Sequence, residues 1–211
     1  MKIAPEGNLF ILPFSVITIL MVLYAWIAST TMVPSYVLFL LLVFLLVFFR
    51  DPNRKCPSDE NIIIAPADGK IIKIEDVDDP NIGSAVLVSI FLSVFNVHIN
   101  RMPINGQFSN VKHHHGKFLA AFNHKASDEN ERTEILITSK IGNIKLKQVA
   151  GLVARRILCY AKPRETMELG DRLGFIRFGS RTDLIVPKHV TLKVELGQNV
   201  TGNRTIIGIY S

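Results

Sequence analysis

The chain has 211 residues, a length that suits one domain with an additional element, and its formal net charge is +6. Its two cysteines, Cys56 and Cys159, lack CxxC spacing, which excludes a disulfide framework or a cysteine-rich zinc site and favours free thiols in a reducing compartment. No arginine-rich motif with interleaved aromatic residues occurs, so nucleic acid is a poor candidate for a partner.

The N-terminal region is apolar enough to lie in a membrane. No charged residue occurs between Gly7 and Phe49, and a bilayer core of about 30 Å takes roughly 20 helical residues. We therefore predict a membrane anchor over residues 1–50, with two transmembrane helices at about 9–28 and 33–49. One long or re-entrant span is the main alternative. A signal peptide is disfavoured because the apolar run is too long and lacks a small-residue cleavage site.

Positive charges predict the orientation of this anchor. Lys2 precedes the first helix, Arg50 and Arg54 follow the second, and the break between the helices carries no charge. Basic residues favour the cytoplasmic side, so we expect both ends of the anchor, and the domain that follows, to face the cytoplasm from the cell membrane. The basic charge of that domain suits an anionic membrane surface.

The rest of the chain predicts a mainly β domain. A polar linker at residues 51–61 leads to a domain at 62–211, where short β-branched and aromatic runs alternate with turn residues. Helical periodicity is confined to residues 116–130. We expect a compact β-barrel or sandwich, of the barrel-sandwich kind. The expected strands lie in residues 62–77 around a turn, 84–100, 133–151 as a hairpin, 152–160, 172–179, 182–187, 190–196 and 204–211.

Three positions carry reactive side chains, although each has a structural explanation by itself. Asp68 lies in an Ala-Asp-Gly turn, and Asp-Gly pairs are common in turns for conformational reasons alone. His98 closes a very apolar strand, where a histidine is either a satisfied core residue or a general base. The Gly179-Ser180 pair is typical of a turn, and its neighbours do not form the G-x-S-x-G motif of serine hydrolases.

A run of three histidines, in KHHHGK, raises the question of a metal site. Alternate residues of a strand share a face, so His113 and His115 are the pair that could bind one ion. His124 is nearby, but no third ligand lies at a convincing spacing. We therefore predict a solvated basic loop here and no metal site.

Several segments of the chain match one known family in collinear order. They are the apolar N-terminus, APADGK, FLSVFNVHINRMPINGQ, GKF followed by NHKASDENER, QVAGLVARRI and GDRLGFIRFGSRTDLIVP, and together they span most of residues 50–190. These segments resemble the phosphatidylserine decarboxylases in their short bacterial and archaeal form. The resemblance implies a lyase that converts phosphatidylserine in the bilayer into phosphatidylethanolamine and carbon dioxide.

The resemblance also implies that a precursor cleaves itself between Gly179 and Ser180 by internal serinolysis. The products are a membrane-anchored larger chain, 1–179, and a small chain, 180–211, whose first residue becomes a pyruvoyl group. The two chains form a heterodimer, with further dimerisation as an option. The pyruvoyl ketone forms a Schiff base with the substrate amine and accepts the electrons released on decarboxylation, so neither a metal nor a separate cofactor is expected.

The family's processing residues are an aspartate, a histidine and a serine, which Asp68, His98 and Ser180 match. Other branches carry a second histidine in an H-x-x-H-M-P run, where this chain has Arg101. An arginine stays protonated, so it cannot act as a base. His98 or Asp68 is left as the processing base, and Arg101 is a candidate for binding the substrate's phosphate or carboxylate.

Two other functions stay open on the sequence alone. APADGKIIKI is also similar to biotinyl and lipoyl carrier domains, in which Lys70 would be the modified lysine at a hairpin tip. The histidine cluster would suit a membrane-bound metallopeptidase. An intact chain modified on Lys70 would favour the carrier, and an intact chain with bound zinc would favour the peptidase.

Overall fold

The computed structural model describes residues 2–117, 129–151, 156–177 and 180–211. Clustering of contacts divides the chain into two compact units, Met1–Asn53 and Arg54–Ser211. The boundary falls inside the polar segment predicted as a linker, where residues 52–60 form no helix or strand.

The first unit is a helical hairpin whose two ends meet. Strand β1 pairs antiparallel with β2, with Lys2 opposite Asp51, and the amide of Ala4 donates to the carbonyl of Phe49 at 2.7 Å. The N-terminus and the segment after the second helix therefore lie at the same end of the hairpin. Its elements are β1 (Lys2–Ile3), a 3-10 turn (Pro5–Gly7), α1 (Asn8–Ile27), α2 (Val33–Phe48) and β2 (Arg50–Asp51).

Small side chains are buried along the middle of this hairpin, Phe48 and Phe49 are buried where its ends meet, and many large apolar side chains cover its outside. Thr18, Ala25 and Ser35 are buried, and the Thr18 hydroxyl donates to the carbonyl of Phe14 at 2.7 Å. Small residues inside and apolar residues outside are typical of helices that pack in lipid. The exposed large apolar residues include Leu9, Leu12, Ile19, Trp26, Ile27, Tyr36 and Leu40.

Only one of the two helices is long enough to count as a membrane span by itself. Among the described residues, Pro5–Ile27 is the helix that is both long and apolar enough to cross, with 23 residues. Val33–Phe48 has 16 residues, about 24 Å at 1.5 Å per residue, which is shorter than a typical bilayer core. The prediction of an N-terminal apolar anchor is supported, whereas a second span over 33–49 is not clearly present.

The second unit is mainly β, as predicted. Every strand pair in it is antiparallel. The strands are β3 (Ile62–Ile64), β4 (Gly69–Asp79), β5 (Gly83–Leu92), β6 (Ile99–Arg101), β7 (Gly106–His114), β8 (Arg132–Ser139), β9 (Gly142–Ala150), β10 (Ile157–Cys159), β11 (Thr166–Met167), β12 (Arg172–Ile176), β13 (Ser180–Pro187), β14 (Thr191–Leu192), β15 (Asn199–Val200) and β16 (Ile206–Ile209).

One eight-stranded sheet dominates the unit and curls into a half-barrel. Its strand order is β11-β7-β8-β9-β13-β5-β4-β15, so β13 lies in the middle, between β9 and β5. Two three-stranded sheets, β10-β12-β6 and β14-β16-β3, complete the unit. The predicted hairpin at 133–151 is present, with Gly142 at a φ of 95° after the turn.

Two strand predictions need correction. Residues 62–77 do not form a hairpin, because β3 pairs with β16 and β4 pairs with β5, in different sheets. Asp68 therefore lies where the chain passes from one sheet to the next. Residues 84–100 do not form one strand, because β5 ends at Leu92 and a turn closed by Asn96 precedes His98. The predicted helical turns at 116–130 lie mostly outside the described residues.

The core lies on one face of the large sheet and becomes polar toward one end. Leu184 and Val186 on β13 are fully buried in an apolar cluster with side chains of β5, β8 and β9. Further along the same face of β13, the buried residues are Thr182 and Ser180. A strand presents alternate residues to one face, so the polar end continues the apolar core without a break.

Candidate functional site

Ser180 is the first residue of the central strand β13 and is completely buried. It lies directly opposite Leu92 of β5 and Ala150 of β9. Among the described residues, its hydroxyl has no hydrogen-bond partner. Buried hydroxyl groups are usually hydrogen-bonded, so an unpartnered one indicates a functional position. Gly179 lies outside the described residues.

A network of buried polar side chains continues from Ser180 along the same face. The amide nitrogen of Asn100 donates to the Thr182 hydroxyl at 3.1 Å, and Gln148 donates to the Asn100 amide oxygen at 2.7 Å. The side-chain amide oxygen of Gln148 itself has no hydrogen-bond partner among the described residues. A buried polar cluster with two unpartnered oxygens among the described residues differs from an ordinary core, where such groups are paired.

The segment that leads to Asp68 runs antiparallel to β6, the strand that follows His98. The amide of Ile64 donates to the carbonyl of Pro103 at 3.0 Å, and the amide of Arg101 donates to the carbonyl of Pro66 at 2.7 Å. These bonds join the segment before Asp68 to the segment after His98.

Arg54 clamps the Asp68 carboxylate. Its two terminal nitrogens donate to the two carboxylate oxygens, the second at 2.7 Å, and the backbone amide of Gly202 adds a third donor at 2.8 Å. Arg54 also donates to the Gly202 carbonyl at 2.9 Å, and Asn203 donates to the Arg54 carbonyl at 3.0 Å. The sequence offered no signal for this pairing, since Arg54 lies in a polar segment that was interpreted as a linker.

His98 is completely buried and has a defined orientation. Its Nδ1 lies 2.9 Å from the carbonyl oxygen of Asn96. A carbonyl can only accept, so Nδ1 carries the proton and Nε2 is the basic nitrogen of the neutral ring. The ring centroid lies 6.3 Å from that of Phe175. His98 directly precedes β6, and its role as a general base stays a prediction.

The sheet register brings Asp68, His98 and Ser180 to the same end of the fold. Extending the pairing of β4 with β5 sets Gly69 in the same cross-strand row as Leu92 and Ser180. Neighbouring strands are about 4.8 Å apart, so the Ser180 backbone is on the order of 10 Å from the start of β4. On the other side, the carbonyl of His98 accepts from Ile176 at 3.1 Å, and Ile176 packs on Ala150, the cross-strand partner of Ser180.

Arg101 lies at the edge of this group of residues. It is half-buried, directly opposite Arg172 in the β6–β12 pair, and one terminal nitrogen donates to the Gly170 carbonyl at 3.3 Å. Two guanidinium groups on adjacent strands make this edge positively charged. Anionic groups such as phosphate are favoured at such an edge.

The remaining candidates from the sequence are Lys70, the histidine cluster and the two cysteines. Lys70, the carrier lysine, lies inside β4, opposite Phe91, and not at the tip of a hairpin. His113 and His115 share a face as predicted, but Glu131 lies beside them as a third group. His124 lies outside the described residues. The predicted free thiols are confirmed, and burial raises the pKa of both Cys56 and Cys159, so neither suits a thiolate nucleophile.

Comparison with known proteins identifies the family. The sequence model of the family "Phosphatidylserine decarboxylase" matches residues 41–208. A phosphatidylserine decarboxylase proenzyme of Chlorobium chlorochromatii is 45% identical over 88% of this chain and 87% of its own. Those of Chlorobium limicola and Parabacteroides distasonis are each 41% identical, over 99% and 100% of this chain and the full length of their own.

The chain belongs to the phosphatidylserine decarboxylase family. The family resemblance inferred from the sequence segments is confirmed. Membership in the family weighs against the carrier and peptidase alternatives. The roles of Asp68, His98, Arg101 and Ser180 within it remain predictions.

Proposed function

We propose that the protein is a membrane-bound, pyruvoyl-dependent decarboxylase that converts phosphatidylserine to phosphatidylethanolamine and carbon dioxide after cleaving itself between Gly179 and Ser180. The observation that carries the proposal is the buried Ser180 hydroxyl, unpartnered among the described residues, at the polar end of the large sheet; Asp68 directly precedes β4 of this sheet, and His98 directly precedes β6 of a three-stranded sheet. The relatives' names, which include the word proenzyme, agree with synthesis as a precursor.

In the cleavage step, the Ser180 hydroxyl attacks the carbonyl carbon of Gly179 and gives up its proton to a base. The amide becomes an ester on the serine oxygen. Loss of the serine α-proton then expels Gly179 as the C-terminal carboxylate of the larger chain and leaves a dehydroalanine. Its enamine tautomerises to an imine, and water releases ammonia and leaves a ketone, so the atoms balance without an oxidant.

His98 is the better-placed base of the two candidates. Its Nε2 is the basic ring nitrogen, because Nδ1 donates to the Asn96 carbonyl. Both oxygens of Asp68 already accept hydrogen bonds from Arg54, and one accepts a further bond from Gly202. Asp68 therefore acts by stabilising positive charge and by orienting its neighbours, while Arg101, always protonated, has no role as a base.

The described residues fit a pyruvoyl group at position 180. The amide oxygen of Gln148 is buried and has no hydrogen-bond partner among the described residues, so it is available to the group or its substrate. A pyruvoyl ketone supplies an electron-accepting carbonyl for the decarboxylation of an amino acid headgroup. Burial of Ser180, His98 and Asn100 excludes water, and Arg101 with Arg172 binds the anionic phosphate at the edge.

The two chains would stay together after cleavage because the small chain is interleaved with the large one. Strand β13 pairs with β5 on one side and β9 on the other. Strand β15 pairs with β4, and β16 pairs with β3. Strands β13, β15 and β16 of the small chain thus each pair with a strand of the larger chain, and β14 pairs with β16.

The anchor sets the enzyme at the bilayer surface, where its two-chain substrate lies. Helix α1 spans the membrane, and α2 returns as the second, shorter span; the meeting of β1 and β2 at one end supports a hairpin with both ends in the cytoplasm. A shorter span is accommodated by local thinning of the bilayer. The basic domain then faces the anionic leaflet.

Release of carbon dioxide from the substrate tests the proposal. Purified full-length protein in vesicles that contain phosphatidylserine labelled in the serine carboxylate should release labelled carbon dioxide, and Ser180→Ala should release none and remain a single chain. Ser109→Ala, which removes an exposed hydroxyl, is the matched control and should cleave and decarboxylate normally. Release of carbon dioxide by the uncut Ser180→Ala chain would overturn the proposal.

A further inference from the structure

His113, His115 and Glu131 lie together on one face of the large sheet. His113 lies in β7 and His115 directly follows the end of that strand; their ring centroids are 5.0 Å apart, edge to face. Strand β7 pairs His113 with Thr133 and His114 with Arg132 of β8. Glu131 directly precedes β8, so the carboxylate comes from the chain segment next to the histidines.

The ligand atoms of these three side chains are close enough to share one ion. All three lie within 4.8 Å of one another, and His113 Nε2 is 3.7 Å from Glu131 Oε1. Ligand atoms around a tetrahedral Zn²⁺ with bonds of about 2.0–2.1 Å are roughly 3.3 Å apart. Small side-chain rotations therefore complete the geometry, and we propose that His113, His115 and Glu131 bind one divalent transition-metal ion, with Zn²⁺ as the best chemical match.

The surroundings orient this cluster before any ion arrives. The hydroxyl of Thr133, itself buried, lies 3.1 Å from His113 Nδ1, which leaves Nε2 to face Glu131. A polar partner on the second ring nitrogen is the usual support of a metal-binding histidine. The Glu131 backbone is fixed on both sides, since its amide donates to the Lys117 carbonyl at 3.0 Å and its carbonyl accepts from Ala150 at 2.9 Å.

Backbone pairing connects the site to Ser180. Ser180 lies opposite Ala150, the amide of Ala150 donates to the Glu131 carbonyl, and the Glu131 side chain lies beside His113 and His115. Two strand spacings separate the backbones of Ser180 and Glu131, on the order of 10 Å. Three protein ligands leave at least one coordination position for water or an anionic oxygen. The metal binding itself does not depend on cleavage at Ser180.

Direct titration with Zn²⁺ tests the inference. We would use full-length protein without a polyhistidine tag, in detergent, and measure Zn²⁺ affinity by competition with a chromophoric chelator. The wild type should bind one ion per chain. His115→Ala and Glu131→Gln should each weaken binding by at least the ~10- to 100-fold typical of losing a supporting residue, and Thr133→Val by about that amount.

His114→Ala is the matched control, because His114 is adjacent in sequence but faces the opposite side of β7. It should bind Zn²⁺ as the wild type does. Thermal unfolding without metal checks that each variant is folded, and Glu131→Gln keeps the shape of the side chain it replaces. Titration with Co²⁺ should give a spectrum without a sulfur-to-metal charge-transfer band.

Three results would overturn the inference. They are absence of a stoichiometric ion in the wild type, an equal loss of affinity in His114→Ala and His115→Ala, or a sulfur charge-transfer band that assigns the metal to Cys56 or Cys159. If the cluster is only an ion pair between His113 and Glu131, the first of these results is expected.

Discussion

Arg54 donates hydrogen bonds to both carboxylate oxygens of Asp68, which lies 14 positions further along the chain. The pair is mostly buried, with 17% and 12% of the two side chains exposed. A two-pronged guanidinium contact fixes the orientation of a carboxylate as well as its charge. Arg54 therefore positions Asp68 within the site.

Replacing Arg54 with lysine should slow self-cleavage while leaving the chain folded. A lysine keeps the positive charge but lacks the two parallel N–H donors of the guanidinium group. The loss of one charge-assisted hydrogen bond costs about 1.5–3 kcal/mol, or about 10- to 100-fold in rate if the whole effect is on the barrier. Gel analysis of cleavage after pulsed synthesis measures the rate. Arg204→Lys, at an exposed arginine, should cleave as the wild type does; equal rates for both variants would contradict a positioning role.

Replacing Thr182 with valine should destabilise the fold. The valine keeps the shape of threonine but leaves the amide of the buried Asn100 without its acceptor. An unsatisfied buried donor costs about 1–3 kcal/mol, and each kcal/mol lowers Tm by about 2–4 °C in a chain of this size. Thermal unfolding in detergent checks the value. Thr191→Val, at an exposed threonine, should leave Tm within a degree or so of the wild type.

Acidification should destabilise the protein through His114 and Glu134. Burial, with Arg132 nearby, lowers the pKa of His114. Burial raises the pKa of Glu134, but its hydrogen bond with Arg132 and the charge of Lys147 outweigh this, so the pKa is lowered overall. In both cases the unfolded chain binds protons more readily, so stability is present above the unfolded pKa and is lost as pH falls.

The pH range of this loss differs between the two groups. For His114 it begins near the unfolded pKa of about 6.5, and for Glu134 near about 4.3. Unfolding free energies measured from pH 8 to 4 should fall toward acid. His114→Gln should flatten the curve near neutral pH, and Glu134→Gln should flatten it at the acid end. A wild-type curve that is flat from pH 8 to 4 would be inconsistent with this assignment.

The two chains produced by cleavage should remain one particle. Strand β13 of the small chain is hydrogen-bonded on both sides by strands of the large chain. Size-exclusion chromatography in mild detergent should elute residues 1–179 and 180–211 together, and a denaturing gel should separate them. Loss of the small chain under native conditions would show that the interleaved strands do not hold it.

The topology of the anchor can be read from three single cysteines. With Cys56 and Cys159 replaced by alanine, a cysteine is introduced at Lys2, Ser29 or Asn53. Two spans predict that an impermeant thiol reagent added to intact spheroplasts labels position 29 and spares 2 and 53. A single span would instead give positions 29 and 53 the same labelling, opposite to that of position 2.

The sequence predicted local features well and missed what depends on long-range pairing. The β-branched runs and the Gly142 turn predicted the strands of the β8–β9 hairpin, because turn and strand preferences are local. The same signals at Asp68 predicted a hairpin that is absent, because β3 finds its partner in β16 at the far end of the chain. Tertiary pairing decided the outcome there.

The candidate site divides in the same way. Ser180, Asp68 and His98 could be named from the motifs that they share with a family, whereas Arg54 and Glu131 could not. Arg54 lies in a segment without secondary structure, and Glu131 reaches the histidines only through the register of β7 with β8. Partners that a sheet brings together across strands leave no spacing signal in a single sequence.

Mass spectrometry of the mature C-terminal fragment tests the central claim most directly. The account predicts a fragment of residues 180–211 that is lighter than the unmodified peptide by one ammonia and refractory to Edman degradation, with a membrane chain ending at Gly179. An unbroken chain of 211 residues that still releases carbon dioxide from phosphatidylserine would contradict it.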